Sequence, residues 1–200
     1  MNSKIAEFVN KTVLSDGFFP LILCTVRHSL FKGGMSRPFK REVLQRRPVA
    51  AVLPYDPARD QVVLIEQFRA GKMLSGAADP WMIETVAGII EDGETPEAMA
   101  RREAVEEAGC TVTALERLPG FYPSSGGCSE YVHMFCGRVD SDGIGGIHGL
   151  DHEDEDIRVW CESTDRALGR LEAGELDNVI LIVALQWLAL NRERLRAQWT

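Results

Sequence analysis

Glu103, Glu106 and Glu107 stand at i, i+3 and i+4 within the run from Gly88 to Cys110, GIIEDGETPEAMARREAVEEAGC. On a helix of 3.6 residues per turn that spacing puts the three carboxylates on one face. Like charges so placed repel, each pair costing about 0.2–0.5 kcal/mol in an isolated helix. Arg102, four residues before Glu106, offers local relief, so the arrangement makes sense if an external cation completes it. Hard carboxylate oxygens suit Mg²⁺, and Mg²⁺ in turn suits a phosphate-bearing substrate. For three glutamates alone, the plainer reading is a solvated acidic helix face. A second acidic cluster, His148-Gly149-Leu150-Asp151-His152-Glu153-Asp154-Glu155-Asp156, ends the long connection between residues 140 and 156. Alone it reads as a solvated loop tip. Beside a metal-binding helix it becomes a source for a general base and a further ligand, and position does not choose between Glu153 and Glu155.

The helix that must carry the glutamates has clear ends. Thr95 can cap it, Pro96 suits its first position, Glu97 favours the positive end of its dipole, and Gly109 stops it. Upstream, residues 1–48 read as a small separate β domain, with strand-like stretches at Phe18–Leu30 and Phe39–Arg46 joined by the turn-rich 32–36, and Pro48 as the boundary. Few short strands make a poor core, so this domain needs something to pack on. Residues 49–200 form the second domain. Val49–Leu53 and Gln61–Gln67 are apolar strands around the turn 54–60, and Trp81–Val86 leads into the acidic run. Strands follow at Thr111–Leu118, Tyr131–Val139 and Ile157–Glu162, with a short helix at Thr164–Ala173. A final helix, capped by Asp177, is expected to bury Val179, Ile182, Val183, Gln186, Trp187 and Leu190.

Composition narrows the function. With 200 residues, 45% of them hydrophobic and 26% charged, the chain can bury a true core. A net charge of −8 argues against nucleic-acid binding, which needs a basic surface. The five cysteines are scattered with no C-x-x-C pair, which points to neither a disulfide framework nor a zinc site and suits a cytoplasmic protein. The four histidines make no H-x-x-x-H pair. The most apolar run, Val179–Leu190, is too short for a membrane span.

Gly88, Glu94, the run Arg102-Glu103-Ala104-Val105-Glu106-Glu107-Ala108-Gly109 and the apolar Cys110 together resemble the Nudix box. Ala104 and Cys110 stand where larger aliphatic residues are usual, which touches packing rather than chemistry. From Gly17 to Trp199 the chain also resembles the Nudix hydrolases that act on ADP-ribose. The echoes are Gly17-Phe18-Phe19, Lys40-Arg41-Glu42, Ile65-Glu66-Gln67-Phe68-Arg69, Gly126-Gly127-Cys128-Ser129-Glu130 and Gly146-Ile147-His148-Gly149-Leu150 with Glu153 and Glu155. The resemblance implies an α/β fold: an α/β/α sandwich with a mixed sheet, plus a small N-terminal antiparallel β domain exchanged in a homodimer. It implies hydrolysis of the diphosphate bond of ADP-ribose to AMP and ribose 5-phosphate, with Mg²⁺ or Mn²⁺. Another nucleoside diphosphate sugar such as GDP-mannose is the alternative substrate, and a non-catalytic Nudix module the remote one. By the same resemblance the Ala87 carbonyl, Glu103, Glu107 and Glu155 bind metal, Glu153 is the base, and Arg102 and Glu106 support the chemistry. Phe18 and Phe19 stack on adenine, while Arg41, Glu42, Arg46, Arg69, Ser124 and Glu130 hold phosphates or ribose. One position departs from the pattern: Ser125 stands where ADP-ribose-preferring members often carry proline, with Pro123 two residues early.

Overall fold

A computed structural model describes residues 4–150, 152 and 154–199. The chain falls into two units, one made of residues 1–48 with 122–131 and the other of 49–121 with 132–200. In the first, β1 (Ala6–Ser15), β2 (Leu21–His28) and β3 (Phe39–Leu44) form an antiparallel sheet in the order β1-β2-β3. Gly33 and Gly34, at φ of 94° and 76°, supply the backbone that turns β2 toward β3. Residues 122–131 join this unit through Leu44 N–H, which donates to the Gly127 carbonyl at 2.8 Å. The sheet has almost no core. Of its strand residues only Cys24 is buried, while Phe8, Val9, Val13 and Leu14 of β1 are exposed.

The second unit is built on β4 (Val49–Asp56), whose residues are all buried. An apolar run rather than an alternating one is what a strand covered on both faces requires. β5 (Gln61–Phe68) pairs with it only at Tyr55↔Val62 and Asp56↔Gln61 beside the hairpin. Beyond that point the strands part, and a short helix α1 (Ala70–Leu74) leads to a segment that fills the gap. Its first half, β6 (Trp81–Glu84), pairs with β5, and its second half, β7 (Val86–Ile89), pairs with β4. Thr85, at the change of partner, donates its hydroxyl to the Val52 carbonyl at 2.6 Å. This lays Ala87 and Gly88 beneath α2 (Pro96–Ala108). The sheet continues with β8 (Ala114–Phe121), β9 (Val132–Arg138), β10 (Gly146–His148) and β11 (Ile157–Ser163), in the order β10-β11-β5-β4-β9-β8. Only β4 and β9 run parallel among its pairs, so the sheet is mixed. Then come α3 (Thr164–Glu172) and α4 (Val179–Trp199).

Two cores flank the sheet: Met99, Ala100, Ala104 and Ala108 of α2 pack with Ala50, Val52, Val63 and Ile65. On the opposite face Ala167 of α3 and Leu181, Leu185 and Leu188 of α4 pack with Ala51, Leu53 and Leu64. The result is the α/β/α sandwich expected from the resemblance.

Several local expectations are corrected. The face α4 buries is Leu181, Ala184, Leu185, Leu188, Leu195 and Trp199; Leu190 is 86% exposed and Gln186 is also exposed. The helix is apolar nearly all round at its start, so periodicity did not single out one stripe. Its cap is Asn178, whose Oδ1 accepts from Leu181 N–H at 2.9 Å, while Asp177 pairs with Lys72 at 2.8 Å. The strand β10 arises within the connection of residues 140–156, and β1 and the helix α1 arise where the sequence marks no element. Among the described residues no helix is long and apolar enough to cross a membrane.

Candidate functional site

The acidic helix forms as its ends dictate. Thr95 Oγ1 accepts from Ala98 N–H at 3.1 Å, Pro96 occupies the first position, and Gly109 closes the helix at φ 62°. There Gly109 N–H reaches the Val105 carbonyl at 3.0 Å and Cys110 N–H the Ala104 carbonyl at 2.9 Å, satisfying carbonyls the helix leaves open. The alanines on its buried side let the helix lie close to β7. At Gly88 an added Cβ would fall 2.1 Å from Glu103 Oε1, so this glycine leaves room for a carboxylate.

Arg102 gathers the acidic face. Its Nη1 donates to Glu103 at 2.9 Å and to Glu106 at 2.7 Å, and its Nε donates to Glu94 at 3.0 Å. The repulsion expected along the helix is therefore shared by one guanidinium, with Glu94 added from the preceding loop. Glu107 lies apart from that hub. It is 3% exposed, and its Oε2 accepts from Ala87 N–H at 3.1 Å. Burial, reinforced by the neighbouring Glu103 and Glu155, raises its pKa well above the ordinary carboxylate value despite the bond from Ala87. Burial raises Glu103 as well, with Glu106 and Glu155 adding to it and Arg102 opposing. Glu155 reaches this group from the second acidic cluster, where its Oε2 accepts from Leu150 N–H at 3.2 Å.

Such a carboxylate set fits a hard divalent cation, because burial and acidic neighbours disfavour the charged forms of Glu103 and Glu107, a cost that an added positive charge would remove. Among the described residues no three side chains converge closely enough to form a ready-made metal cluster, and Glu103 is turned toward Arg102. Nearby, Arg69 forks onto Glu84 through Nε at 2.9 Å and Nη2 at 2.6 Å. It is close enough to Glu107 and Glu155 for their charges to favour its cationic form.

The remaining expected residues belong to the first unit. Phe18, 83% exposed, meets Phe19 edge-on with ring centroids 4.6 Å apart. Over the Phe19 ring lies the Arg46 guanidinium at 4.1 Å, and Arg46 pairs with Glu130 at 2.6 Å. Arg41 lies over Phe39 at 4.7 Å and donates to the Lys40 carbonyl. Glu42 is exposed on β3, opposite Leu23. Ser124 sits in the turn of residues 124–128, its carbonyl accepting from Gly127 and Cys128 N–H. The expected sites thus form two groups, Phe18, Phe19, Arg41, Glu42, Arg46, Ser124 and Glu130 in one unit, Arg69, Ala87, Arg102, Glu103, Glu106, Glu107 and Glu155 in the other. Glu153 lies outside the described residues.

Glu84 was not singled out from sequence. It is an ordinary strand glutamate until the sheet pairs it with Ile65 and brings it to Arg69, and a lone buried-strand carboxylate in WMIETV was the only available signal. Gln67, of the same strand as the Arg69 motif, is 7% exposed with its Nε2 lacking a hydrogen-bond partner, which alternation along β5 alone did not reveal.

The family model described as the NUDIX domain matches residues 45–179. An ADP-ribose pyrophosphatase of Escherichia coli (strain K12) is 45% identical over 193 residues, covering 96% of this chain and 92% of that protein. One from Haemophilus influenzae is 40% identical over 195 residues, covering 96% and 90%. A GDP-mannose pyrophosphatase of Cronobacter sakazakii is 36% identical over 186 residues, covering 92% and 95%.

Proposed function

This chain belongs to the Nudix family, and from that premise we propose that it hydrolyses the diphosphate bond of ADP-ribose to AMP and ribose 5-phosphate in a divalent-cation-dependent reaction. The observation that carries the reading is the buried Glu107, bonded to Ala87 N–H, with Glu103 seated against Gly88, two carboxylates held against burial and mutual repulsion. Identity is also higher to the ADP-ribose pyrophosphatases than to the GDP-mannose relatives.

Glu103, Glu107, Glu155 and the Ala87 carbonyl would hold the cation, Mg²⁺ or Mn²⁺. Bound there, it supplies charge neutralisation for the diphosphate oxygens and a Lewis acid at phosphorus. Arg102 keeps Glu106 and Glu103 from springing apart, and Glu94 orients Arg102 in turn. Arg69, with its Nε and Nη2 fixed by Glu84, keeps a preset guanidinium plane that suits a phosphate oxygen. A carboxylate of the second acidic cluster, Glu153 or Glu155, takes the proton from the attacking water. In the first unit, the exposed ring of Phe18 offers a stacking face for adenine, and Arg41, Glu42, Arg46, Ser124 and Glu130 would line the phosphates and ribose. One face of Phe19 is already taken by Arg46, so Phe18 is the main stacking group.

The same reading makes the protein a homodimer in which residues 1–48 are exchanged between copies. Its support is a three-stranded sheet whose β1 exposes Phe8, Val9, Val13 and Leu14. The five cysteines are free thiols, which suits a cytoplasmic home.

Ser125, standing where ADP-ribose-preferring members often carry proline, leaves room for one competing substrate, GDP-mannose. Comparing kcat/KM for the two substrates with Mg²⁺ decides between them: ADP-ribose should lead by at least about tenfold, a 1.4 kcal/mol preference. A reversed ratio would transfer the assignment to GDP-mannose.

A further inference from the structure

We infer that His148 is a positioning residue for the acidic loop, acting through a seat for its ring on Gly109 at the end of α2. The inference rests on the reading of α2 and Glu155 given above, and it concerns how the loop is held rather than what it binds.

His148 is the last residue of β10, paired with Ile157, the first residue of β11. The chain leaves the sheet at one member of this pair and returns at the other, so the pair is the neck of the loop. Gly109 lies against the ring. A Cβ added there would stand 2.5 Å from His148 Cε1, 3.2 Å from Nδ1 and 3.3 Å from Nε2. Three ring atoms crowd the place a Cβ would take, and no side chain fits there. The left-handed backbone at Gly109 already disfavours most residues, but asparagine often tolerates it. The ring contact is a second, independent demand that asparagine cannot meet.

The ring is also fixed at its far edge, where Nε2 lies 3.1 Å from the Gly145 carbonyl. A carbonyl can only accept, so Nε2 carries the proton and the ring orientation is set. An apolar ring would fill the seat but would lack this bond, which accounts for an imidazole at the position.

Just beyond the neck the loop closes on itself. Gly149, at φ 106°, lies so close to Glu155 that an added Cβ would meet the Glu155 Cβ at 2.7 Å. Leu150 N–H donates to Glu155 Oε2 at 3.2 Å, and Glu155 N–H donates to the Leu150 carbonyl at 3.4 Å. Contacts therefore run from Gly109, two residues past Glu107, through His148 and Gly149 to Glu155, whose charge is felt at both Glu103 and Glu107. Freed of its seat, His148 would let the neck turn and Glu155 drift from the helix face, with the helix itself intact.

Hydrogen exchange on the cation-free protein and kinetics on the loaded enzyme test this together. In His148→Ala, the amides of Leu150 and Glu155 should exchange at least about tenfold faster while α2 amides keep their protection. On the substrate the wild type cleaves fastest, kcat should fall about tenfold or more with KM within about threefold. His148→Phe, which fills the seat without the Gly145 bond, should recover most of both. Gly109→Asn should reproduce the His148→Ala loop exchange from the opposite side of the contact. Leu150 and Glu155 exchange within twofold of wild type in both His148→Ala and Gly109→Asn would overturn the inference, as would loss of α2 protection in step with the loop in His148→Phe as well. If the wild type cleaves no nucleoside diphosphate sugar, the functional reading fails, and the exchange results alone decide the role of His148.

Discussion

Glu107 is a carboxyl group 3% exposed, whose burial and acidic neighbours raise its pKa above the ordinary 4.5. Its contribution to the stability of the cation-free protein is thus fully present below pH 4.5 and is lost as the pH rises through the raised value. Glu107→Gln removes that loss: the cation-free variant should melt higher than wild type at neutral pH, and its midpoint should fall less between mildly acid and neutral pH. Calorimetry across that range checks it, and equal pH dependence in the two proteins would mean Glu107 is not strained. Gly88→Ala makes a geometric test, because its Cβ must push Glu103 Oε1 from 2.1 Å. Glu103 can swing away at small cost in stability, so the expected result is a fold melting near wild type with activity reduced about tenfold or more. The carboxylates were legible in sequence because a single helix sets their spacing. Glu84 was not, since fifteen residues of chain separate it from Arg69 and only the pairing of β5 with β6 closes the gap.

At the scale of elements, α2 was readable end to end because Thr95, Pro96 and Gly109 act locally, through one hydrogen bond, one fixed φ and one left-handed residue. α4 was not, because its early residues are apolar on every side and only the sheet decides which of them it covers. The corrected face yields a paired prediction. Leu185→Ala should destabilise by about 2–5 kcal/mol as a fully buried residue, while Leu190→Ala, 86% exposed, should change stability by about 0.5 kcal/mol or less. Denaturant melts of the two variants check it, and the reverse ranking would restore the stripe read from periodicity. β10 escaped notice for a related reason: three residues are too few to show alternation, and their partner β11 lies beyond a loop.

For the whole molecule, the sandwich was legible only through the resemblance carried by the run from Gly88 to Cys110 and the echoes around it, and residues 1–48 stood out by their short strand-like stretches and the turn-rich 32–36. The surface proposed to cover this unit does not follow from its own sequence, because exposed apolar residues on β1 carry no mark of what would bury them. Sedimentation should give about twice the chain mass, and deletion of the β1 segment should yield monomers; a stable, active monomer of the full chain would contradict the exchanged dimer. The activity itself is tested most directly by incubating the protein with ADP-ribose and Mg²⁺ and separating the products, with Glu107→Gln alongside. The wild type should release AMP and ribose 5-phosphate in equal amounts, cease when the cation is chelated, and exceed Glu107→Gln by about 100-fold or more. Intact ADP-ribose with the wild type, or undiminished hydrolysis by Glu107→Gln, would contradict the account.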